Sequence, residues 1–179
     1  MKLLNQLIIA TVVSLAFACG NGSTNESEDE KLSENNLQTE GMKQIDLSEY
    51  ELNATISVPD ESKGEAEVVA TDWGSIVISI SDWYGIEIVP FGISIEEKKA
   101  ELTADLVYSV EYLTEEENLI MYKKTIAESD VDPEFHFFMT TEINGELVEV
   151  KSAGDQTFTK KQVEAMINSA KTLSQKVDA

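Results

Sequence analysis

The chain has no arginine: all 13 of its basic residues are lysine, set against 34 Asp and Glu, for a formal charge of −21 over 179 residues. Phosphate backbones and anionic lipid surfaces repel such a chain, which excludes nucleic acid as a partner. Without the planar guanidinium fork, a pocket for phosphate or carboxylate is also disfavoured. Cysteine is nearly absent. A lone Cys19 cannot form an internal disulfide, and paired-cysteine metal or redox motifs are ruled out. The single histidine, His136, is too few for a zinc site of its own. No G-x-S-x-G, Walker loop or H-E-x-x-H motif occurs. The acidity accords with a soluble surface, and no catalytic constellation is present in the motifs.

One long apolar run is present, at the start. Lys2 precedes the 12 residues Leu7 to Ala18, which end on small residues and Cys19. Charged start, apolar middle and small-residue end are the order of a secretory signal peptide, and the run is short of the roughly 20 residues a membrane-spanning helix needs. Leu15-Ala16-Phe17-Ala18-Cys19 resembles the lipobox of bacterial lipoproteins, with Ala16 at the place usually held by leucine. The resemblance implies cleavage before Cys19, acyl chains such as palmitate on that residue, and anchoring in the cell envelope at the outer membrane, facing periplasm or surface. A rival reading is ordinary secretory cleavage at the same bond by Ala16-Phe17-Ala18, leaving a bare thiol. The sole cysteine at the cleavage point favours lipidation, and two or three acyl chains suffice for stable anchoring.

The organisation that follows is a signal peptide over 1–18, a lipidated Cys19 with an acidic tether over 19–42, and one globular domain over 43–179. Gly20 to Gly41 has six acidic residues, one lysine and no aromatic, too little apolar surface to repay ordering. The remaining length suits one core, not two.

Alternation from Ile45 places Leu52, Ala54, Ile56 and Val58 on one face of a first strand that ends at Pro59-Asp60. EAEVVATDW and SIVISIS predict two further strands around Trp73-Gly74-Ser75. IEIVPFG predicts a fourth, which Pro90 and Gly92 would make short or an edge. Ser94 with Glu97 forms a capping-box signature, and Ile95, Leu102, Leu106, Val110 and Leu113 predict a helix of four to five turns closed by Glu115 to Asn118. LIMYKKTIAESD predicts a strand. EFHFFMTTEI predicts another, with Phe135, Phe137, Met139, Thr141 and Ile143 on one face, and Asn144-Gly145 turns it into ELVEVKSA. Thr159 caps a final helix to about Lys176, with Val163, Met166, Ile167, Ala170 and Leu173 on its stripe.

The expected fold is therefore α+β, an antiparallel sheet of about six to seven strands covered by two amphipathic helices, in the order ββββ-α-βββ-α. That order, with a first strand ending ISVPD, resembles the PsbP-like fold, whose members are used mainly to dock proteins. No residue role carries over from it.

Three sets of residues are candidates for chemistry. Trp73, Trp83 and Tyr84, at two turns, would stack on a sugar or dock a partner if exposed and cap the core if buried. Glu128, Asp130, Asp132 and Glu134 alternate around a proline turn, the best calcium candidate, although the EF-hand glycine is missing. His136, facing away from Phe135 and Phe137, is an available base. No cofactor is implied. The expectation is a lipid-anchored, non-enzymatic binding or scaffold domain with an envelope protein or glycan as partner. The alternatives are a glycan or cell-wall binding module, and a small hydrolase working through two carboxylates.

Overall fold

The structure, a computed structural model, describes residues 41–177. The expected signal peptide, the expected lipidation site Cys19 and all but the last residues of the expected tether lie outside them. Met42–Asp46 (β1) and Ala54–Pro59 (β2) form a hairpin with Met42 opposite Pro59 and Asp46 opposite Thr55. Its connection is a 3₁₀ turn at Ser48–Tyr50 that ends on Glu51 in the left-handed region, at φ 64°. The single first strand expected from Ile45 onward is thus two. The buried face is the one alternation predicts: Leu52, Ala54, Ile56 and Val58 are all in the core.

Glu67–Ala70 (β3), Ile76–Ile80 (β4) and Tyr84–Pro90 (β5) follow as an antiparallel meander. β5 is neither short nor an edge. It spans seven residues between β4 and a later strand, and Pro90 is tolerated because it is the last of them.

Ile95–Ala104 (α1) carries the capping box, with Ser94 Oγ accepting from Glu97 N at 3.2 Å and Glu97 Oε2 accepting from Ser94 N at 2.9 Å. The helix then stops well before Leu113. Asp105 turns extended, its carboxylate accepts from Val107 N and Tyr108 N, and Ser109–Glu116 (β6) is a strand. Leu106, assigned to the helix stripe by spacing, is 98% exposed. The apolar intervals fitted a helix by coincidence; β-branched and aromatic residues at 110, 112 and 114 win once Leu119–Thr125 (β7) offers a ladder. Glu117 and Asn118 are the hairpin turn, not a helix end.

Glu134–Ile143 (β8) and Glu146–Ser152 (β9) pair through the expected Asn144-Gly145 turn, both residues at positive φ. Lys160–Ala170 (α2) begins at the Thr159–Gln162 capping box, and after a turn Ser174–Gln175 (β10) adds to β2 in place of the last helical turn.

The fold is α+β, with ten strands in two antiparallel sheets and two helices. The order is five strands, helix, four strands, helix and a short strand, which corrects ββββ-α-βββ-α. The larger sheet runs β3-β4-β5-β9-β8-β7-β6, and the smaller is β1-β2-β10. One face of the large sheet buries Ile78, Ile86, Phe137, Met139 and Val150 against β2 and the α2 stripe. Its other face, at β7 and β8, buries Ile120, Tyr122 and Phe138 under Ile95 and Leu102 of α1. Among the described residues no helix is long and apolar enough to cross a membrane.

Candidate functional site

Strand directions place four connections at one end of the large sheet: the β3–β4 turn, the link from β5 to α1, the β6–β7 turn and the β8–β9 hairpin. Two large aromatics stand out there. Trp73 in the first turn is 77% exposed and Phe91 in the link is 76% exposed. Ile76 lies opposite Ile88, so continuing the register sets Trp73's turn beside Pro90-Phe91. On the other side, Gly92 N donates to Leu147 O at 3.0 Å, which brings half-exposed Leu147 alongside.

Phe91 has φ 59°, a genuine outlier for a bulky residue, at a cost of about 1–3 kcal/mol. A ring left in solvent returns little of it. Local stability therefore does not account for phenylalanine at this position.

A polar chain on the sheet holds both loops. Thr71 Oγ1 and Ser75 Oγ are 2.8 Å apart, and Ser75 Oγ donates to Glu87 Oε1 at 2.7 Å. Lys151 Nζ reaches Glu87 at 3.7 Å and Glu149 at 2.6 Å, and Glu149 Oε2 accepts from Ile93 N at 3.3 Å. One chain of contacts across β4, β5 and β9 thus ties the Trp73 turn to the Phe91 link. Gly92 fits beneath it only for want of a side chain, since a Cβ there would lie 2.7 Å from Glu149 N and Cβ.

Beside Leu147 the surface dips into an open hollow of about 520 Å³ lined by Glu117, Asn118, Thr140, Thr141 and Glu142. The volume is in the range of ligand sites, but its open shape suits a surface-lying segment more than an enclosed substrate. Asp72, Glu117, Glu142 and Glu146 rim this end, all exposed, and none is in an ion pair among the described residues. The four connections themselves contain no lysine.

The expected aromatics divide. Trp73 and Trp83 are at opposite ends of β4, about 15–20 Å apart along a five-residue strand, so the two turns do not form one platform. Trp83 is half-buried, with Nε1 donating to Lys63 O at 3.3 Å. Tyr84 is a core residue at 0% exposure, tilted against Trp83 with centroids 5.5 Å apart. Burial pushes its phenol pKa upward. Its hydroxyl, directed toward Ser169, closes no hydrogen bond of normal geometry among the described residues. Phe91 and Leu147 were missed; the only signal was an aromatic between Pro90 and Gly92, where turn chemistry favours small residues.

The four carboxylates at 128–134 do not converge. Among the described residues no group of three or more His, Cys, Asp or Glu is placed to hold a metal. Glu134 instead turns to His136, with Oε2 3.4 Å from Nε2, while Nδ1 is 3.1 Å from Ser152 Oγ and the ring stacks on Tyr122 at 5.5 Å. His136 is mostly buried, and that desolvation lowers its pKa below 6.5, opposed by Glu134 and assisted by Lys124 and Lys98.

The depressed value makes the native state favour neutral imidazole, so the unfolded chain binds the extra proton first on acidification. This contribution to stability is complete above about pH 6.5 and is lost as the pH falls through the folded pKa. Since His136 is the only histidine, His136→Gln is expected to flatten the change in urea midpoint between pH 7.5 and pH 5. Equal slopes in parent and variant would refute the assignment.

No protein-family model, curated protein or solved structure matches this chain.

Proposed function

We propose that the protein is an exported bacterial lipoprotein, held in the cell envelope by lipid on Cys19, whose domain acts by binding a partner and not by turnover. The observation that carries the binding role is the exposed Trp73–Phe91 pair at one end of the sheet, held by a polar chain and with Phe91 in costly backbone. Rigid, exposed aromatics supply contact area at small entropic cost, as at protein interfaces.

The anchoring half rests on the signal peptide and the sole cysteine at its end. In native membranes the mature N-terminal peptide is expected to carry acyl chains on Cys19, read by intact mass. Cys19→Ser is expected to move most of the chain from the membrane pellet to the soluble fraction. A bare thiol with the parent already soluble would replace anchoring with plain secretion.

A second reading keeps the site and changes the ligand: Trp73, open to solvent, is suited to stacking on a neutral sugar. Trp73→Ala leaving oligosaccharide binding intact would dismiss it.

A further inference from the structure

We infer that the partner at the Trp73–Phe91 end is an extended, lysine- or arginine-bearing segment of another envelope protein. This deepens the binding reading above and rests on it. Three observations select that occupant over a sugar. First, the aromatics and Leu147 are rimmed by Asp72, Glu142 and Glu146, with no lysine in the connections that carry them. Second, the whole chain bears −21, so its field concentrates cations and repels anionic partners. Third, the turns from β3–β4 to β6–β7 lie along a line of strands spaced about 4.8 Å, which makes the rim about 20–25 Å long. An extended chain covers that distance with roughly seven residues.

A guanidinium engages both features at once. Its plane stacks on Trp or Phe while its N–H groups fork to a carboxylate. Apolar residues alternating with the cations would rest against Phe91 and Leu147. A neutral sugar uses the rings but leaves the rim carboxylates without a counter-charge.

The test is calorimetric titration of the full chain, solubilised in nonionic detergent, with a nonapeptide alternating arginine and leucine. The same peptide with glutamine in place of arginine, and chitohexaose, serve as comparison ligands. The arginine peptide is expected to bind and to weaken steeply with salt, and the glutamine peptide to bind at least tenfold more weakly. Trp73→Ala combined with Phe91→Gly is expected to weaken the arginine peptide at least tenfold. Asp130→Asn with Asp132→Asn, at the opposite end of the sheet, is expected to change it less than twofold. Phe91→Gly alone should leave the thermal midpoint unchanged or higher, since glycine accepts positive φ freely, so lost binding is not lost folding.

Equal losses from the two double variants would reduce the effect to general charge attraction and overturn the site. Equal binding of the glutamine peptide would overturn the requirement for cations. Binding of chitohexaose alone, abolished by the aromatic variants, would overturn the protein partner and leave the binding role standing. No binding by any of the three would overturn both the partner and the role of this end.

Discussion

Phe138→Ala is expected to destabilise the domain by about 3–5 kcal/mol, lowering its thermal midpoint by roughly 10–20 °C. The ring is fully buried between β8 and α1, in a cluster with Ile95, Leu102, Ile120 and Tyr122, and Lys98 Nζ lies 5.6 Å from its centroid. Truncation removes the burial of a whole aromatic and leaves a void that α1, anchored by its capping box, fills only in part. Alternation along β8 assigns Phe138 to the face opposite Phe137, where a sheet covered on one side alone would expose it. A loss below about 1 kcal/mol in urea unfolding would therefore show that α1 does not seal that face. Phe137→Ala, on the α2 side, is expected to cost a similar amount and provides the reference.

Lys151→Met is expected to cost about 2 kcal/mol and to loosen both aromatic loops together. Lys151 is the only cation of the chain from Thr71 to Ile93, and Glu149 beneath it is largely buried. Removing the cation leaves a carboxylate with a costly environment and little compensation. The partial exposure of Lys151 keeps the figure below that of a fully buried pair. Glu149→Gln alone also breaks the contact, so the double variant should cost at least 1 kcal/mol less than the sum of the two. Strict additivity in the four urea midpoints would mean that the pair contributes nothing to the tie. Hydrogen exchange at 71–75 and 91–94 should rise in step in Lys151→Met, and a rise in one loop alone would break the proposed coupling.

Much of the architecture was legible because local rules and burial agreed. Both capping boxes, the Asn144-Gly145 hairpin, the alternating faces of β2 and β4 and the α2 stripe from Val163 to Ala170 are set by neighbours in the chain. The failures came where two local readings fitted one segment. Leu106, Val110 and Leu113 satisfy a helical interval, yet Val110 and Leu113 belong to β6, because β7 supplied backbone partners that spacing cannot register. Ile45 and Leu52 look like one strand until the 3₁₀ turn at Ser48–Tyr50 reverses the chain between them. The candidate site was less legible still. Trp73 was visible as an aromatic in a turn, but its separation from Trp83 depends on which end of β4 each occupies. Tyr84 is removed from solvent by α2, which lies about 80 residues further along the chain.

By itself, then, the amino-acid order determined the acidic charge, the lone cysteine, the helix starts, the tight turns and the α+β class, since each depends on composition or on residues a few positions apart. The tertiary structure decided that the large sheet is buried on its second face at β7 and β8, that β5 is interior, and that Phe91 joins Trp73 at a common end. Those outcomes depend on strand order and register, which bring together residues as far apart in the chain as Ile86 and Ser152, and no local preference encodes which strands become neighbours.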